Sequence, residues 1–140
     1  RMNILFYLKP KNEIVYLYDD FTLRQVLEKM EKHRYSAVPV INRNGNYVGT
    51  LTEGDLLWHL KATGFQELKE MEDIPMTKIR RYWHNEPVNI DCKIEDLITT
   101  SMNQNFVPVI DDKKIFIGIV TRRDIIQYCY DQVQKENLAR

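Results

Sequence analysis

Two short stretches of this chain set a hydroxyl, an acid and, in one case, cations at a spacing that suits a phosphorylated sugar. Thr121-Arg122-Arg123-Asp124 follows an apolar run and opens a helical pattern. A helix start presents unpaired N–H groups and the positive end of the macrodipole, so a phosphate beside Thr121 would meet backbone donors and a hydroxyl together. Asp124, one turn on, can accept hydrogen bonds from two vicinal ribose hydroxyls. Arg122 and Arg123 add charge-assisted contacts to phosphate oxygens. The same residues also suit a humbler role, in which Thr121 caps its helix, Asp124 complements the dipole and both Arg lie on a solvated face. Thr52-Glu53-Gly54-Asp55 repeats the Thr and the Asp, but Glu53 replaces the first Arg and would repel phosphate. The expectation is two chemically unequal sites, the stronger at Thr121.

Other chemistry is poorly provided for. His33, His59 and His84 lie in separate elements without H-E-x-x-H spacing, no G-x-S-x-G elbow surrounds a serine, and the five glycines form no phosphate-binding loop. The expectation is a protein that is not an enzyme and holds no metal. Cys92 and Cys129 lack C-x-x-C spacing and read as ordinary thiols. Lys plus Arg and Asp plus Glu number 20 each in 140 residues, which argues against a nucleic-acid partner. The apolar runs are far shorter than the ~20 residues that span a bilayer, so no membrane insertion is expected, and a cytoplasmic location is. Arg1 ahead of Met2 suggests Met2 as the natural start of a small whole protein, although a domain excised near an internal Met would look alike.

The elements that position these residues occur twice. Ala37-Val38-Pro39-Val40-Ile41 is echoed by Phe106-Val107-Pro108-Val109-Ile110, and Tyr47-Val48-Gly49-Thr50-Leu51-Thr52 by Phe116-Ile117-Gly118-Ile119-Val120-Thr121, at a constant offset of 69 residues that Asp55 and Asp124 share. Each copy begins with an extended run (residues 14–17 and 88–90) and continues into an amphipathic helix. Leu23, Val26, Leu27 and Met30 mark its apolar face in the first copy; Ile94, Leu97, Ile98 and Met102 mark it in the second, where this region is two residues shorter. Two β-rich runs follow, joined by residues 42–46 with their Asn-Gly turn signal or by residues 111–114, and a second helix starts at Glu53 or Arg122. The fold class is α/β (α+β): β-α-β-β-α, twice. Neither copy could bury both faces of a three-stranded sheet alone, so the two are expected to pack about a pseudo-twofold as one module over residues 1–140. Its parts are a first motif at 12–63, a connector at 64–85 and a second motif at 86–136.

Val38-Pro39-Val40 with Thr52-x-x-Asp55, and Val107-Pro108-Val109 with Thr121-x-x-Asp124, resemble the paired motifs of the cystathionine-β-synthase (CBS) domain family across residues 12–136. The resemblance implies a module with two clefts, usually a homodimer, that binds an adenosine-containing ligand such as AMP, ADP, ATP, S-adenosylmethionine, NAD or cyclic di-AMP and regulates a protein partner. It implies a regulatory ligand rather than a cofactor. It places adenine against the residues before each Pro-Val pair and the chain entering the first strand. These are Asn105, Phe106, Val107 and Pro108 with Arg81, Glu86 and Pro87 for the second copy, and Ser36, Ala37 and Val38 with Val15 and Tyr16 for the weaker first copy. Val38 and Val107 equally suit plain core. The run Gly118-Ile119-Val120-Thr121-Arg122-Arg123 is similar to a segment of small stand-alone CBS pairs that bind cyclic di-AMP. The basic residues Lys78, Arg80 and Arg81, with Tyr82, Trp83 and His84, either reach ligand phosphates or form a solvated turn. A rival reading is a ligand-independent dimerisation or docking module using Ile125, Ile126, Tyr128 and Cys129, or a regulatory fragment of a larger transporter or enzyme.

Overall fold

The computed structural model describes residues 3–33, 36–64, 67–80 and 85–139. Each repeat forms the expected hairpin around its Pro-Val pair. Strand β3 (Ala37–Ile41) pairs antiparallel with β4 (Tyr47–Thr52), and β2 (Leu17–Tyr18) lies parallel to β3 on its other side. In the second repeat β6 (Phe106–Ile110) pairs antiparallel with β7 (Phe116–Thr121), and β5 (Val88–Asn89) lies parallel to β6. Both hairpins shift register at the same place, between Val40 and Ile41 and between Val109 and Ile110.

The hairpin loops are built alike from different residues. Asn42 accepts hydrogen bonds from the Asn44 and Asn46 amides, and Asp111 accepts them from Lys113 and Ile115. An Asn or Asp side chain bonding the backbone ahead of it is a turn former in its own right. Gly45 takes the left-handed conformation of the first loop at no steric cost, whereas Lys114 adopts it in the second with φ 65°. The two loops meet where the pseudo-twofold runs. Asn46 forms an isolated antiparallel bridge with Ile115, its own counterpart in the repeat, and the rings of the counterparts Tyr47 and Phe116 stack with centroids 6.1 Å apart.

The helices cover the sheets. Helix α1 (Leu23–His33) buries Leu23, Val26 and Met30, and its start is closed by a reciprocal pair in which the Thr22 amide donates to Gln25 and the Gln25 amide to Thr22. Helix α2 (Glu53–Thr63) follows β4 directly, and a short helix α3 (Leu68–Met71) lies in the connector. The second repeat departs from its sequence pattern. A 3-10 turn at Ile94–Asp96 precedes a five-residue helix α4 (Leu97–Ser101), and Met102 is exposed rather than in the core. The buried position falls to Ser101, which stands four residues after Leu97 and seven after Ile94 on the core face, and its hydroxyl donates to the Ile98 carbonyl. Helix α5 (Arg122–Ala139) closes the chain.

One strand was not expected. Strand β1 (Lys9–Pro10) adds antiparallel to the outer edge of β7, making the second sheet four-stranded in the order β1-β7-β6-β5. A proline suits such an edge because it needs no ladder donor. The segment before it completes the second core: Ile4 is fully buried with Ile94, Leu97, Val107 and Val109, and Tyr7 and Leu8 pack against them. The connector does the same for the first core, where Met71, Met76 and Ile79 join Leu17, Leu23 and Val38. The segment ahead of each repeat therefore serves the other repeat, which ties the two together.

The second core holds one strongly perturbed phenol. Tyr128 donates a hydrogen bond to Glu95, and this bond, with burial and the Glu95 charge behind it, pushes its pKa up to about 12 from 10.0. A pKa raised in the folded state contributes stability that is complete below the unfolded value near 10 and is lost as pH rises towards 12. Absorbance titration of the phenols should therefore show one group ionising near pH 12 in the wild type that is lost in Tyr128→Phe, while Tyr7 and Tyr16, raised above 10.0 in both, stay; the variant should be less sensitive to alkali between those pH values. A phenol that still titrates near 12 in the variant would contradict this assignment.

Candidate functional site

In both repeats the strand ending at Thr passes straight into a helix, so the Thr-x-x-Asp start lies beside the residue that precedes the Pro-Val strand. The Glu53 amide donates to the Ser36 carbonyl at 2.9 Å and the Arg122 amide to the Asn105 carbonyl at 2.9 Å. Thr52 and Thr121 each cap their helix by accepting from the amide of the Asp three residues on, at 3.1 Å in both cases. The capping role read from sequence is thus real in both repeats, and it leaves the Gly54 and Arg123 amides as the first-turn donors that neither of these contacts takes up.

Two clefts open beside these helix starts, and each draws residues from both repeats. The first, about 350 Å³, brings Thr52, Gly54, Asp55 and Trp58 of the first repeat together with Asn85, Asn103, Gln104 and Asn105 of the second. The second, about 330 Å³, joins Thr121, Asn105, Phe106 and Ile119 to Ile14, Val15, Ser36, Ala37, Val38 and Pro39, with Lys9 and Glu13 at its rim. Their walls differ in kind. The first is lined by amides pinned to backbone: Asn85 donates to the Phe106 carbonyl, and Gln104 accepts from the Glu86 amide while donating to the Phe106 carbonyl. The second offers apolar surface from Ile14, Val15, Val38, Phe106 and Ile119, with Thr121, Ser36 and Asn105 as polar groups, the mixture a flat heterocycle with a polar tail requires.

The two acids differ as well. Asp55 is almost fully buried and turns back on its own helix, its carboxylate accepting from the Thr52 amide at 2.9 Å to complete a capping box. Asp124 makes no such return bond. Its Oδ2 lies 3.3 Å from the Lys9 ammonium and has no hydrogen-bond partner although it is shut off from water. A buried carboxylate oxygen without a donor is a position at which a hydroxyl donor is favoured.

The CBS domain family model matches the chain twice, over residues 8–62 and 71–131. The chain belongs to the CBS domain family. This CBS pair is 25% identical over 142 aligned residues to an uncharacterised protein of Methanocaldococcus jannaschii, covering 81% of this chain and 84% of that one. A second uncharacterised protein of the same organism is 23% identical, and there the match spans 94% of this chain and only 51% of the relative. Among solved structures, CbpB in complex with c-di-AMP superposes with a TM-score of 0.85 at 22% identity, covering 99% of this chain and 91% of CbpB. CBSX2 in complex with AMP superposes with a TM-score of 0.72 at 18% identity, covering 94% of this chain and 98% of CBSX2. At these identities the likeness is one of fold, and it is the fold of two CBS motifs packed as a pair.

Within the CBS pair, the residues singled out from sequence do not all meet in one place. Thr121, Asn105, Phe106, Ser36, Ala37, Val38 and Val15 meet at the second cleft, with Asp124 one turn behind, while Thr52 and Asp55 meet at the first. Val107 and Pro108 are buried in the second sheet, Pro87 leads into β5, and the Tyr16 ring stands edge-on to Tyr18. Arg122 donates from Nε to the Ser101 carbonyl at 2.8 Å and lies over the end of α4, whereas Arg123 is exposed beside the helix start. Lys78 and Arg80 line a separate hollow with Trp58 and His59. Arg81, Tyr82, Trp83 and His84 lie outside the described residues. Of the apolar residues proposed for docking, Ile125 and Tyr128 are core and Ile126 is exposed. Sequence reasoning missed Lys9, Glu13, Asn85 and Gln104. Lys9 precedes the first motif and Glu13 stands at its very edge, ahead of its extended run, so nothing in the repeat marks them, whereas Asn85 and Gln104 have no amide counterpart at the matching places of the first repeat, which hold Ile14 and Tyr35.

Proposed function

We propose that this CBS pair is a regulatory sensor that binds an adenine nucleotide in the second cleft and passes the event on as a change of packing between its repeats. The observation that carries the reading is the composition of that cleft: an apolar slot, the Thr121 hydroxyl of a capped helix start, and behind it an Asp124 carboxylate oxygen whose one neighbouring cation, Lys9 at 3.3 Å, makes no hydrogen bond to it. Adenine would occupy the slot between Val15, Val38 and Phe106, the ribose hydroxyls would reach Asp124, and the phosphate would sit at the start of α5 near Arg123. Because the cleft is built from both repeats, a ligand there favours one arrangement of the two over others, which is what a partner protein could read. The c-di-AMP complex of CbpB and the AMP complex of CBSX2 make these two nucleotides the first to try, with ATP next. The first cleft, with its amide wall and Glu53 at the helix start, would be the weaker site.

A regulatory role without catalysis, in the cytoplasm and as a homodimer, completes the reading. No described helix is long and apolar enough to cross a membrane. Ile126, Tyr130 and Val133 are exposed at helical spacing along α5, and Leu57 of α2 is the counterpart of Ile126 in the other repeat, so a second copy would cover apolar surface related by the pseudo-twofold. Titration calorimetry against AMP, ATP, S-adenosylmethionine and cyclic di-AMP tests the sensor. Saturable binding of at least one, raising the melting temperature by mass action, is expected. Failure of all four would leave the ligand-independent dimerisation or docking module as the better account.

A further inference from the structure

Strand β1 brings to the second cleft a cation that belongs to neither Thr-x-x-Asp segment. Its backbone is fixed by pairing Lys9 with Ile119 and Pro10 with Gly118, and by the burial of Ile4 and the packing of Tyr7 and Leu8 just ahead of it. Gly118 makes the approach possible, since a Cβ there would lie 2.2 Å from the Lys9 carbonyl oxygen. From this anchored position the Lys9 side chain extends along the rim to Asp124, with Nζ 3.3 Å from Oδ2.

We propose that Lys9 is a ligand-binding residue of the second cleft, whose ammonium moves from the Asp124 carboxylate to the phosphate of an entering nucleotide. The proposal rests on the nucleotide reading of that cleft. Three observations carry it. Arg122, the residue next to the capping Thr121, is committed to the Ser101 carbonyl, which leaves Lys9 and Arg123 as the cations at this helix start among the described residues. Glu13 shares the rim and Asp124 lies behind it, so without Lys9 an anionic ligand would face two carboxylates. The Lys9 side chain is 48% exposed against 22% for Asp124, so the ammonium can swing on its four-carbon stem while the carboxylate stays in place for the ribose. The first repeat turns its Asp55 back into its own helix, so an exchange of this kind is particular to the second cleft.

The exchange separates phosphate from sugar recognition, which gives it a distinctive test. Calorimetry with AMP and with adenosine is run on the wild type, Lys9→Met and Lys9→Arg, each checked by its denaturation midpoint. Losing one charge-assisted contact to phosphate should weaken AMP by about tenfold in Lys9→Met, with Lys9→Arg retaining most of the affinity. Adenosine, which has no phosphate, should bind Lys9→Met at least as well as wild type because Asp124 no longer has a competing cation. Equal AMP affinity in wild type and Lys9→Met would overturn the role of Lys9 and leave the nucleotide reading standing. Equal weakening of AMP and adenosine would assign Lys9 a purely structural part and overturn it too. If the wild type binds neither, both readings fall together.

Discussion

Gly118→Ala should destabilise the fold by about 3 kcal/mol, the upper end of the cost of forcing one extra carbon into a packed site. The added Cβ would stand 2.2 Å from the Lys9 carbonyl oxygen and 3.0 Å from the Pro10 Cα, both on backbone that cannot swing aside as a flexible side-chain end would. Relief requires β1 to leave the edge of β7, and β1 is the tether of a segment whose Ile4 is fully buried in the second core. Urea denaturation should show the lower midpoint, and amide exchange should show residues 4–9 exchanging faster than in the wild type. A variant with wild-type midpoint and protection would mean that the strand docks less tightly than its geometry indicates.

Asp55→Ala and Asp124→Ala should part company, although sequence places them at the same point of the repeat. Asp55 is buried and completes a capping box, so its loss should cost about 2 kcal/mol of stability. Asp124 leaves the cap to Thr121 and pairs with a half-exposed lysine, an ion pair worth at most about 1 kcal/mol, so its loss should leave stability near wild type. Nucleotide affinity should respond in the opposite sense, falling about tenfold or more in Asp124→Ala, since hydrogen bonds from ribose hydroxyls to a carboxylate are of the charge-assisted kind. Melting curves and calorimetry on the two variants read both effects. Equal loss of stability, or nucleotide binding that ignores Asp124, would contradict the division of labour between the repeats.

The difference between those two acids was only half legible in the sequence. The repeat itself was plain, because the Pro-Val strand, the glycine, the threonine and the aspartate each answer to a local backbone or capping demand that few residue types meet. Those demands recur at 69-residue spacing, and with them came the hairpins, the helix starts and the order of elements. Glu53 against Arg122 signalled unequal sites, yet the larger asymmetries lie elsewhere: Asp55 closing its own cap, Lys9 reaching Asp124, and amides in place of apolar residues on one wall.

What escaped the sequence depends on contacts between distant parts of the chain. Ile4, Tyr7 and Leu8 need only be apolar to fill the second core, and their partners Ile94, Val107 and Val109 lie 86 to 105 residues away, so no local pattern announces the exchange. The same holds for Met76 and Ile79 in the first core. Arg122 read as a phosphate contact because the helix start was visible while the end of α4, whose Ser101 carbonyl it meets, was not. Met102 reads as core because it is apolar, but the core-facing position four residues after Leu97 and seven after Ile94 is Ser101, which carries no apolar signal. The clefts cross between repeats for a related reason: the pseudo-twofold brings the residues before one Pro-Val strand towards the helix start of the other, a relation of space and not of sequence.

The central claim is that the second cleft is where an adenine nucleotide binds, and the most direct measurement is amide chemical-shift mapping of the labelled protein titrated with AMP and with cyclic di-AMP. The account predicts saturable shifts concentrated at Val15, Ala37, Val38, Phe106, Ile119 and Thr121, the residues that line that cleft. Shifts confined to Trp58, Asn85 and Gln104 would place the ligand in the first cleft, and the absence of saturable shifts with either nucleotide would contradict the claim outright.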